Sequence, residues 1–155
     1  MALGLLIAFL VLCFYQDVRY RGIHWVLFPL AAASSVWFNL SELNLLTIGT
    51  NVLILSVMMG LLTVYVSLKS GKLTNITQSH FAWGDILFLL AIAPLFSIQV
   101  FIAFISFGTL ITLIIHLVST SIKPQETVPY AGYMALVAIA YAGFKPDIDF
   151  FLATI

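Results

Sequence analysis

Apolar residues run through this chain in long unbroken blocks separated by short polar stretches. Within a block they do not alternate with polar ones, which favours helices over the strands of a barrel. The first block covers residues 1 to about 16 and borrows a further turn through Asp17. The second covers about 23–40 and the third about 43–68. The polar stretch KSGKLTNITQSH follows, and residues 84–118 are then apolar almost throughout. As one straight helix that block would be about 52 Å long, against about 30 Å of bilayer hydrocarbon, so it must break. Pro94 cannot donate a backbone hydrogen bond, and Ser97 and Gln99 follow it closely. A tight hairpin is therefore expected at residues 94–99, between a fourth helix from about Trp83 and a fifth to about Val118. A sixth helix is expected over about 128–144. The tail KPDIDFFLATI mixes acids with apolar residues, as an interfacial segment does. The expected fold is an all-α integral membrane protein: one polytopic domain over residues 1–155, a bundle of about six transmembrane helices.

Composition sharpens this picture. The chain is 63% hydrophobic and 8% charged, with a mean hydropathy of +1.15. Soluble domains carry about a quarter charged residues, so this chain could not solvate its own surface as one. The formal net charge is zero and no basic block occurs, so nucleic acid is not an expected partner. With a single cysteine, Cys13, neither an internal disulfide nor a CxxC zinc site can form. His24, His80 and His116 are scattered, and no metal or other cofactor is expected. The apolar run over residues 2–14 has no positive segment before it and no small-residue cleavage site after it, so it reads as a retained first helix.

The basic residues set an expected orientation. Arg19 and Arg21 fall in the first loop, Lys69 and Lys72 in the third and Lys123 in the fifth; only Lys145 lies on the other side. The biased side is the cytoplasmic one by the positive-inside rule, which puts the N-terminus outside the cytoplasmic (inner) membrane.

Two acids stand at the ends of apolar blocks. Asp17 closes the first helix and Asp85 opens the fourth, so alternation places both at the same face. Glu42, Asp147 and Asp149 belong to the opposite side, and Glu126 lies outside any apolar run. Two carboxylates brought close share a proton and titrate as a pair. Such a pair can divide the work of peptide hydrolysis without a metal. Spacing alone leaves simpler readings open. Asp17 could snorkel beside Arg19 or Arg21, and Asp85 could cap the fourth helix.

Local sequence adds a resemblance. The stretch DVRYRGIHW, residues 17–25, resembles the first-aspartate motif of the type IV prepilin peptidases, in which the aspartate is followed by a basic cluster and then Ile-Pro. AWGD, residues 82–85, resembles the family's GxGD motif at the start of a transmembrane helix. TVPYAGYMALVA, residues 127–138, is similar to the family's proline-led start of its last helix. The resemblance implies a membrane aspartyl endopeptidase that removes the leader of prepilin-like precursors at the cytoplasmic face. It makes Asp17 and Asp85 the catalytic dyad. Gly84, Arg19 and Arg21 become candidate substrate-binding residues, with Gly84 allowing close approach of the substrate backbone.

Three positions depart from the family pattern: Ala82 replaces the first glycine of GxGD, His24 replaces the proline after Ile23, and Leu87 replaces a lysine. The cysteine-rich insert of the larger bacterial members is missing, so no methyltransferase activity is expected. The departures also admit a second reading, a non-catalytic or degenerate homologue that serves as a membrane subunit binding a partner helix. A third, an ion pathway through the same carboxylates, calls for acids at mid-membrane depth. Elsewhere, Asn51 with Thr47 and Thr50 is expected to make helix–helix hydrogen bonds. Trp25, Trp37 and Trp83 are expected near helix ends, and residues 31–35 form a small-residue run suited to close packing.

Overall fold

The structure is a computed structural model that describes the backbone of residues 1–70, 83–122 and 128–153, with side chains over 1–69, 83–119 and 128–145. Among these residues every regular element is helical. The order is α1 (Ala2–Tyr20), α2 (Leu27–Phe38), α3 (Leu45–Ser70), α4 (Trp83–Ile92), a 3₁₀ turn (Ala93–Leu95), α5 (Ile98–Ile122) and α6 (Tyr130–Ala153). Six α-helices lie among the described residues. Of the six membrane spans expected, three are found there to be both long and apolar enough to cross a membrane, over Ala2–Tyr20, Leu45–Lys69 and Ile98–Ser119. The helix α2 has 12 residues, about 18 Å, where the apolar block promised more.

Each boundary has a local cause. The helix α1 runs past Gln16 to Tyr20, which carries Asp17 inside the helix rather than at its end. It stops at Arg21, which adopts φ 55° and donates its backbone N–H to the Asp17 carbonyl at 3.0 Å. This is the left-handed cap that usually falls to glycine. The chain then turns back, pinned where the His24 N–H donates to Gln16 Oε1 at 2.8 Å. That turn uses up residues 23–26 and explains why α2 begins late. In α2 the small-residue run is buried at Ala31, Ser34 and Ser35. Both serine hydroxyls donate to the Ala31 carbonyl, at 2.9 and 2.8 Å, so they bring no unmet polarity to the packed face.

The break in the fourth apolar block falls where Pro94 predicts. Its carbonyls are freed from helical pairing, and two asparagines take them up. Asn51 Nδ2 donates to Ala93 O at 3.1 Å and Phe96 O at 3.0 Å, while Asn39 Nδ2 donates to Pro94 O at 3.0 Å. Asn51 is fully buried; these bonds satisfy its amide nitrogen, while its Oδ1 has no partner among the described residues. Beside the turn, the Phe96 ring stacks on Phe104 at 4.4 Å and meets Tyr141 at 4.7 Å between centroids.

The core lies among α1, α2, α4 and α6, with α1 laid most extensively along α6. It includes Leu6, Leu10, Cys13, Phe88, Ile92 and Met134. In contrast, α3 keeps most of its surface exposed, including Leu53, Leu61 and Leu68. Trp25, Trp37 and Trp83 are exposed at helix ends, as expected. The last helix does not stop near Phe144 but continues to Ala153. Just past the apolar run, Lys145 is held by partners on the α2–α3 connection.

Candidate functional site

The two aspartates converge on one helix start. Pro129, buried and unable to donate, precedes α6 and leaves its first amides to find acceptors outside the helix. Gly132 N–H donates to Asp17 Oδ2 at 2.6 Å. The preceding amide, Ala131 N–H, donates to Asp85 Oδ1 at 3.0 Å. Consecutive backbone nitrogens are at most about 3.6 Å apart, so the two acceptor oxygens lie within roughly 9 Å of each other. The positive end of α6 thus faces both carboxylates, the arrangement in which a helix terminus best supports negative charge.

Both aspartates reach across to α6, and Asp17 also feels the charge of Arg21. Asp17 is only 8% exposed and turns inward to α6 instead of snorkelling to a bilayer surface. Asp85 sits in the first turn of α4, yet its Oδ1 leaves that helix for the Ala131 amide of α6. Tyr130, the first residue of α6, also lies within reach of the Asp85 charge.

Gly132 is closely confined here. A Cβ at this position would lie 3.1 Å from both the Asp17 Cβ and its Oδ2, and 3.4 Å from the Phe14 carbonyl oxygen, so a side chain would push the neighbours back by a few tenths of an ångström. Glycine lets α1 and α6 approach closely at the amide that holds the carboxylate. Gly84 is less confined: a Cβ there would meet only Phe28 Cζ, at 3.8 Å. Packing within the chain therefore does not demand a glycine at 84. Arg19 is exposed in the last turn of α1, and Arg21 is exposed at its cap. Ala82 lies outside the described residues, as do Lys72, His80, Lys123 and Glu126.

The Ala131 and Gly132 amides were not singled out by sequence reasoning. Their signal was present in VPYAG, where a proline marks a helix start and a glycine follows in the first turn.

A second polar cluster occupies the other end of α2 and α4. Lys145 Nζ donates to Glu42 Oε2 at 2.8 Å and to Asn39 Oδ1, and lies 5.6 Å from the centre of the Phe38 ring. These groups border a cavity of about 140 Å³ that Asn44, Ser97 and Tyr141 also line. Nine positions of chain separate Asp85 from Pro94 at its rim, about 14 Å at a helical rise. The aspartates and this cavity are thus distinct sites.

Comparison of the chain with family models, with curated proteins and with solved structures returns no match.

Proposed function

We propose that this protein is a membrane aspartyl endopeptidase of the prepilin peptidase type, with Asp17 and Asp85 as its dyad. One observation carries the reading: two acids 68 positions apart in sequence are drawn to adjacent amides at the start of a single helix. The motif resemblance in DVRYRGIHW, AWGD and TVPYAGYMALVA supports it further. In this reading the six helices form a bundle in the cytoplasmic membrane with the N-terminus outside. Arg19, Arg21 and Lys69 then share the cytoplasmic end with the dyad.

The chemistry needs one ionised and one protonated carboxyl. Water oxygen bonds to the scissile carbonyl carbon as its proton passes to the ionised carboxylate. The protonated partner gives its proton to the carbonyl oxygen. The C–N bond of the tetrahedral intermediate then breaks. The leaving amine takes the proton held by the first carboxyl, and the second recovers its own from the collapsing intermediate. The Ala131 and Gly132 amides hold the two carboxyls in place throughout. Gly84 borders the path of the substrate backbone, and Arg19 and Arg21 contact the precursor or the lipid headgroups.

The test is cleavage of prepilin-like precursors by purified protein in lipid nanodiscs. Asp17→Asn and Asp85→Asn should each lower the rate by about 10²–10⁴-fold, the usual scale for losing an acid–base group. Thermal unfolding should confirm that the fold survives. Cleavage at the normal rate by either variant removes the dyad. An intact precursor with the unaltered chain at every pH supports instead the membrane subunit that binds a partner helix.

A further inference from the structure

The helix α5 is apolar over most of its length, yet Thr109, Thr112, His116 and Ser119 fall on it at spacings of three, four and three. That spacing places them on one face, and α6 packs against that face with two tyrosines. Tyr130 Oη lies 2.9 Å from Thr109 Oγ1, and Tyr133 Oη lies 3.5 Å from Ser119 Oγ. Thr112 sits between these two pairs. It is 2% exposed, and its hydroxyl has no hydrogen-bond partner among the described residues. Other hydroxyls within the helices behave differently. Thr50, Ser56 and Thr63 on α3 each donate to the carbonyl four residues back, at 2.7–2.8 Å. Thr112 forgoes that bond although it is buried. A buried hydroxyl left unmet costs about 1–3 kcal/mol, and ordered water is the usual remedy.

We propose that the α5–α6 seam, from Ser119 past Thr112 to Tyr130, holds a file of ordered water that reaches Asp85. Tyr130 directly precedes Ala131, whose amide holds Asp85, and lies within reach of the Asp85 charge, so its end of the seam neighbours Asp85. Its role as the supply of hydrolytic water rests on the peptidase reading above; its hydration does not.

Met134 offers a probe that needs no substrate. Its side chain is fully buried, and a Cβ built on Gly108, one turn before Thr112, would lie 2.7 Å from its sulfur. X-ray radiolysis of the full chain in nanodiscs forms hydroxyl radicals wherever water is held. Met134 should therefore be oxidised readily despite its burial. Thr112→Val keeps the shape without the hydroxyl, and should lower Met134 oxidation and precursor cleavage, each by about fivefold, with the fold intact. Thr112→Ser should restore both. An unlabelled Met134 in the unaltered chain, or equal labelling in Thr112→Val, overturns the water file. Lost labelling with unchanged cleavage overturns its supply role. Strong labelling in a chain whose aspartate variants still cleave keeps the file and removes only the dyad.

Discussion

The two ends of the bundle solve the problem of buried charge differently. At one end, Glu42 faces Lys145, and Asn39 completes the set. Charge meets opposite charge, and the Glu42 side chain remains 63% exposed. At the other end, Asp17 and Asp85 are each held by a backbone amide of α6. An ammonium would fix a carboxylate in its ionised form, whereas an amide at a helix start supports it while leaving it able to take a proton. The first arrangement ties elements together. The second gathers two acids at one helix start, which is what the proposed dyad needs. The contrast predicts that substitutions at the aspartate end cost activity, and that those at the lysine end cost stability.

The largest effect should come from Gly132→Val. The added side chain collides with Asp17 and the Phe14 carbonyl, so cleavage should fall to the level of Asp17→Asn. Overpacking should also lower stability by about 1–3 kcal/mol, read by unfolding in mixed micelles. Cleavage at an unaltered rate would show that the α6 amides do not position the dyad.

Asn51→Leu should rank next. It strips two carbonyls of the 3₁₀ turn of their donor in a fully buried place. A loss of about 1–3 kcal/mol in the same unfolding measurement is expected. Because α4 leads into that turn, reduced activity should accompany the loss of stability rather than precede it.

Lys145→Met tests the other end directly. It leaves the Asn39 carboxamide oxygen without the ammonium and should cost about 1–2 kcal/mol, with the cleavage rate unchanged. A variant of normal stability and reduced cleavage would reverse the assignment of roles to the two ends.

The smallest effect should be that of Arg21→Gly. The residue holds φ 55°, which glycine adopts freely, so stability should rise by up to about 1 kcal/mol. The same variant decides what the guanidinium does. A cap alone leaves precursor cleavage unaffected, whereas a substrate contact shows as a raised KM.

Much of the frame could be read along the chain because its causes are local. Continuous apolar blocks require helices, a proline without an N–H forces a break, and the positions of Asp17 and Asp85 relative to those blocks place them at one end. The limits of α1 and α2 were misjudged because Arg21 accepts a left-handed cap where no glycine stands, and because the turn after it consumes residues that look like helix. The end of α6 was misjudged: the helix continues to Ala153, and Lys145, just past the apolar run, is secured by Asn39 and Glu42, more than a hundred positions earlier.

By itself, then, the sequence determined that the chain is helical, apolar enough for a bilayer, broken at Pro94, and supplied with two acids at a shared end. Those properties depend on period, hydropathy and backbone chemistry, which act over a few residues. Only the tertiary structure decided that both acids turn toward α6, that Gly132 lies against Asp17 where a side chain would crowd it, and that two asparagines bind the turn at Pro94. These depend on which surfaces of distant helices meet, and a hydrogen bond between residues 115 positions apart exists only once the bundle has closed around it.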